Sequence, residues 1–120
     1  MVYDVEITEV FRDWYEQELS RPEQKSVARV VEMLERDGAT LSFPYSSGIA
    51  QSAFSHMREL RIQHEGRPYR VLYAFDPRRS AILLLGGDKT GDDRWYDKMI
   101  PKADELYHQY LLQLKDEKLI

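Results

Sequence analysis

The chain has 120 residues and no cysteine, which excludes disulfides and thiolate chemistry. Hydrophobic residues make up 42%, enough for one ordinary core in a single domain over residues 1–120 and too many for a disordered tail. Seventeen Lys and Arg against 21 Asp and Glu leave a formal charge of −4, which argues against indiscriminate binding to nucleic acid, and no apolar run is long enough to cross a membrane.

The amino terminus has no basic segment followed by an apolar one, so no secretory signal is expected and the cytoplasm is the expected compartment. Val2–Ile7 is β-prone and reads as a first strand. Thr8 can cap a helix carrying Phe11, Trp14, Tyr15 and Leu19. Ser20-Arg-Pro-Glu23 has the form of a capping box with proline in the first turn, so a second helix begins there. Its apolar positions Val27, Val30, Val31 and Leu34 repeat at helical spacing, and Gly38 is its stop.

Ala39–Ser55 lacks periodicity and reads as a loop. Met57–His64 is a strand with Leu60 and Ile62 on one face and Glu59 and Arg61 on the other. A tight turn at His64–Arg67 leads to a strand over Tyr69–Phe75, and Asp76-Pro-Arg-Arg79 is a second turn. Ala81–Leu85 is nearly all apolar, as expected for a central strand covered on both faces. Gly86–Gly91 reads as a loop, and Asp92 or Asp93 as the cap of a last helix. That helix carries the stripe Met99, Ala103, Leu106, Tyr110 and Leu114, with Pro101 expected to kink or restart it. The order β-α-α-β-β-β-α predicts an α+β fold, a helical hairpin and a C-terminal helix packed on one face of a small, mostly antiparallel sheet.

Charge is distributed unevenly along this order. Between His56 and Arg79 six arginines face three acids, a formal +3, so the other residues carry −7. A basic strip on an acidic protein points to a dedicated anion site. Arg61 and Arg70 project from the same non-core face if the apolar residues define the core, while Arg58 and Arg67 lie near strand ends. Converging guanidiniums suit a phosphodiester, because the planar fork matches phosphate oxygens. The plainer alternative is cross-strand pairing with Glu59 or with helix acids.

Gly86-Gly-Asp-Lys-Thr-Gly91 lacks the Walker spacing. It can aim Lys89 at the sheet face, or serve only as a strand-to-helix turn. Tyr96, one turn into the last helix, can share that site or pack in the core. A phenol flanked by cations has a lowered pKa and can exchange a proton. His56 and His64 flank the arginine strand without metal-ligand spacing.

Three segments carry a family resemblance: Met57-Arg-Glu-Leu-Arg61, Gly66-Arg-Pro-Tyr-Arg-Val-Leu-Tyr-Ala-Phe-Asp76, and Leu84-Leu-Gly-Gly-Asp-Lys-Thr-Gly91. With Asp92-Asp-Arg-Trp-Tyr-Asp-Lys-Met-Ile-Pro101, they resemble the phage-derived, HigB-like branch of the RelE/ParE toxin superfamily. The resemblance implies a RelE-like α+β fold and a type II toxin–antitoxin pair. It implies a ribosome-dependent endoribonuclease that cuts mRNA by attack of the ribose 2′-OH on the adjacent phosphate, without a cofactor or metal. It also implies a helix-turn-helix, HigA-like antitoxin, and leaves open a homodimer or a toxin–antitoxin hetero-oligomer.

Carried over to this chain, the catalytic positions are Arg70, Lys89 and Tyr96. The RNA-contacting set is Arg58, Arg61, Arg67, Glu59 and His56, with His56 and Glu59 also candidates for general base. ParE-type relatives keep the fold without ribonuclease chemistry and bind DNA gyrase, and a degenerate member could act only as an antitoxin-binding co-repressor. Fold alone does not decide among these.

Overall fold

The computed structural model describes residues 2–120. Strand β1 (Val5–Ile7) leads into helix α1 (Glu9–Asp13), which continues as a wider, π-type turn over Trp14–Glu18. The Thr8 hydroxyl accepts the Phe11 N–H at 3.0 Å, as an N-cap should, and donates to the Leu84 carbonyl at 2.6 Å. One side chain thus starts the helix and ties it to the sheet. Helix α2 (Arg21–Asp37) opens on the expected capping box, with Ser20 and Glu23 each accepting the other's backbone N–H.

The remaining elements are β2 (Ser46–Gly48), β3 (Arg58–His64), β4 (Arg67–Phe75), β5 (Ala81–Asp88) and α3 (Trp95–Asp116). The sheet order is β1-β5-β4-β3-β2, antiparallel except for the parallel β1–β5 pair. Helices cover both faces of the sheet rather than the single face expected. Leu60, Ile62, Tyr69, Val71, Tyr73 and Leu83 face the α1–α2 hairpin and pack with Phe11, Trp14, Val27, Val30 and Leu34. Met57, Leu72, Ala74, Ile82 and Leu84 face α3 and pack with Trp95, Ile100, Ala103 and Tyr107. Tyr69 through Ala74 are consequently all buried, and alternation is lost because both faces are core.

Four local expectations are corrected. Ser46–Gly48, read as loop, is an edge strand. Two serines and a glycine carry no β signal, and the strand exists because β3 pairs with it. Gly86–Asp88, also read as loop, extends β5 by pairing with Tyr69–Val71. The cap of α3 is Arg94 and not Asp92 or Asp93, although the Asp92 carboxylate accepts the Arg94 N–H at 3.0 Å and holds Lys98 at 2.5 Å. The helix also runs through Pro101 without restarting.

The end of β5 shows why two glycines follow each other. A bulge opposite Leu72 and Tyr73 turns both Leu84 and Leu85 toward α3, and alternation then resumes. A Cβ on Gly86 would run into the Trp14 ring, and one on Gly87 would lie 2.7 Å from Trp95 Nε1. Each glycine leaves room for one indole, on opposite faces of the same strand.

Candidate active site

Arg61 on β3 and Arg70 on β4 are directly opposed. Strand alternation places both, with Glu59, on the α3 face. Like charges in cross-strand positions repel, and here Glu59 lies between them. Its Oε2 accepts Arg61 Nη1 at 3.2 Å and the Ser47 hydroxyl at 2.6 Å. Its Oε1 accepts the Tyr96 hydroxyl at 2.6 Å and faces Arg70 Nε at 3.5 Å. Arg70 also donates through Nε to Tyr96 Oη at 3.3 Å and through Nη1 to the Tyr69 carbonyl at 2.9 Å. Arg70 is only 5% exposed and Glu59 4%, so this is a buried ion pair, and no buried side-chain polar atom among the described residues is left without a partner.

Lys89 completes the group. Its backbone N–H donates to the Pro68 carbonyl, which fixes the residue just past the end of β5. Its ammonium lies 5.5 Å from the centroid of the Tyr96 ring and forms no ion pair among the described residues. Arg61 and Arg70 therefore share one carboxylate, and a third cation, Lys89, lies by the Tyr96 ring that bonds the same carboxylate. A net positive, partly desolvated patch of this kind is suited to an anion that carries more than one oxygen.

Tyr96 overturns one expectation. The neighbouring cations do not prevail in setting its pKa. Burial raises it above the usual 10, and the hydrogen bond to Glu59 raises it further, against the opposing pull of Arg70. The group is a neutral phenol that donates its proton toward Glu59.

The other residues expected at the site lie elsewhere. Arg58 points to the hairpin side, donating to Ser46 Oγ at 3.1 Å. Arg67 is held on that side too, 3.4 Å from Glu23 and 3.6 Å from Asp88. The Glu23 carboxyl is pulled down to about 2, first by the Tyr69 phenol and then by the Ser20 amide. His56 bonds the Tyr107 hydroxyl at 3.0 Å against α3. Arg78 is occupied by Asp76 and Glu6. The basic strip is therefore not one surface, because alternate residues diverge to opposite faces and Arg78 in the turn is held by Asp76. Ser47 and Trp95 were not foreseen, since their roles depend on an edge strand and a helix start that the local sequence does not announce.

The chain is thus a small five-stranded α+β domain that sets an Arg–Glu–Arg cluster beside a lysine without an ion-pair partner among the described residues. Residues 15–108 match the family model described as "Phage derived protein Gp49-like (DUF891)". The chain is 46% identical over 94 residues to the candidate toxin HigB3 of Mycobacterium tuberculosis, a match covering 78% of this chain and 81% of that protein. It is 39% identical over 102 residues to the candidate toxin HigB2 of the same organism, across 83% of this chain but only 51% of that longer protein. A chain of the RelBE2 toxin–antitoxin complex from M. tuberculosis superposes with a TM-score of 0.54 at 17% identity, covering 73% of this chain and 99% of that one. At that identity the likeness speaks for the fold. The chain belongs to the phage-derived Gp49-like family and is a toxin of the HigB/RelE-like class, so the resemblance carried by its motifs holds.

Proposed function

We propose that this toxin is an endoribonuclease that cleaves translated mRNA, and that a helix-turn-helix antitoxin holds it inactive. The observation that carries the reading is the opposed pair Arg61 and Arg70 with Glu59 fixed between them and the unpaired Lys89 beside Tyr96. Arg70 and Arg61 bind the scissile phosphate and stabilise the extra charge of the pentacovalent phosphorane, which exists chiefly in the transition state. Glu59 takes the proton of the attacking 2′-OH. The new bond joins the 2′ oxygen to phosphorus, the bond to the 5′ oxygen breaks, and that oxygen takes a proton from Lys89 or Tyr96. The products are a 2′,3′-cyclic phosphate and a 5′-hydroxyl end.

The antitoxin is supported by the naming of the relatives as HigB-type toxins and by the solved neighbour, itself a toxin–antitoxin complex. Inducing the isolated gene and mapping new RNA 5′ ends tests the reading. New 5′-hydroxyl ends within open reading frames are expected. Growth arrest without new ends would overturn it in favour of a gyrase-binding toxin.

A further inference from the structure

Beside the cluster lies a cavity of about 350 Å³ between α2 and β3, whose lining includes Arg29, Tyr45, Arg61, Gln63 and Arg70. It exists because β2 is short and covers β3 only from Arg58 to Leu60. Beyond that point the loop before β2 closes over the strand, fixed by the Arg61 N–H donating to the Tyr45 carbonyl at 2.8 Å. The loop turns two aromatic rings outward, leaving Phe43 70% exposed and Tyr45 42%. The Arg61 guanidinium lies 5.1 Å from the centroid of the Phe43 ring. The same arginine therefore touches both Glu59 and an exposed aromatic face. Arg29 and Gln63, both exposed, make no side-chain hydrogen bond or ion pair among the described residues, which leaves polar groups facing the cavity.

From this juxtaposition we infer that the Phe43-Pro44-Tyr45 loop, with Arg29 and Gln63, is a base-recognition subsite for single-stranded RNA, and this rests on the ribonuclease reading above. A nucleotide whose phosphate sits on Arg61 and Arg70 places its neighbouring base over Phe43. Aromatic rings hold unstacked bases with little regard to identity. Discrimination then falls to polar groups at the base edge, where Gln63 offers a donor and an acceptor and Arg29 a donor fork. Phe43 and Tyr45 supply affinity, and Arg29 and Gln63 select the base.

The test uses the full chain and hexaribonucleotides of each base with every 2′-OH methylated, which bind but lack the nucleophile. Cleavage sites are mapped in cells in parallel. Phe43→Ala should weaken binding about tenfold, the scale of one lost stack, while Phe43→Trp keeps it. Because Phe43 is exposed, both variants should fold, and circular dichroism verifies this. Arg29→Ala and Gln63→Ala should flatten the base preference at mapped cut sites without abolishing cleavage. If the wild type cleaves RNA but these variants keep its affinity and base profile, the subsite is wrong and the ribonuclease reading stands. If the wild type binds the methylated RNA through Phe43 but makes no new ends, the subsite stands and the ribonuclease reading fails. Absence of both binding and cleavage overturns both.

Discussion

Arg61 and Arg70 sit face to face on adjacent strands, and the Glu59 carboxylate touches both. The arrangement holds two like charges at a separation that neither would keep alone. On the proposed ribonuclease reading, an arriving phosphate would meet guanidiniums already oriented, with little reorganisation needed as charge builds on it.

Arg70 is the more buried of the two arginines, and Tyr96, Glu59 and the Tyr69 carbonyl fix its geometry. Arg70→Ala should lower cleavage by roughly 10²–10³-fold, the usual effect of removing one transition-state donor. Arg70→Lys should recover little, because an ammonium lacks the fork. Undiminished growth arrest on inducing Arg70→Ala would remove Arg70 from the mechanism.

Glu59→Gln keeps the shape and removes the charge. Cleavage should fall by about 10²–10⁴-fold if Glu59 is the general base. Affinity for 2′-O-methylated RNA should hold or rise, since a negative charge next to the phosphate has gone. The two opposed arginines lose their counter-charge, so the urea midpoint should drop as well. Full activity in Glu59→Gln would reduce Glu59 to a positioning residue.

Lys89 and Tyr96 face each other across the ring, and groups acting as a unit give losses that do not multiply. Lys89→Ala, Tyr96→Phe and the double variant should all lose similar activity while remaining folded. Because the Tyr96 phenol is raised above 10 by burial and by Glu59, the wild-type rate profile should show no Tyr96 limb with its midpoint below pH 10. A limb with its midpoint below pH 10, present in the wild type and absent in Tyr96→Phe, would contradict this.

The Glu23 carboxyl lies at about 2 in the folded chain against 4.5 when free. A depressed folded value means stability that is complete above the free value and drains away as pH falls through the folded one. Denaturant midpoints should therefore decline between about pH 4.5 and 2. Glu23→Gln should shrink the decline in that window, and an identical acid profile for both chains would show that the Tyr69–Glu23 bond carries no linkage.

Much of the fold is legible because it is encoded locally. The Thr8 and Ser20 caps, the helical repeat of Val27, Val30 and Leu34, and the turns around β4 each need only a few neighbouring residues. What could not be read depends on partners distant in the chain. Ser46–Gly48 is a strand only because β3 offers it an edge, and Gly86–Asp88 only because β4 does. At the site, Arg61, Arg70, Lys89 and Tyr96 were legible as a group, and parity alone put Glu59 on their face. The direction of the Tyr96 shift was not, because the sequence pairs Tyr96 with Lys89 on the same loop and helix start, whereas the charge its hydroxyl bonds is Glu59, distant in the chain. Phe43 was hidden in a stretch read as plain loop, although an aromatic pair around a proline was a visible sign.

The two glycines at the end of β5 each seat the indole of a different helical segment, one on either face of the sheet. Trp14 needs Gly86, and Trp95 needs Gly87. Changes at these four positions should be tolerated only in matched couples. Gly86→Ala alone should destabilise by about 1–3 kcal/mol through overpacking, and a smaller ring at position 14 should restore part of that loss. The coupling at Gly87 is stricter, because Trp95 opens α3 beside Tyr96, and enlarging Gly87 shifts the platform on which the phenol meets Glu59. Across any set of natural variants, bulk at positions 14 and 86 should trade off freely, while 87 and 95 change only at the expense of toxicity.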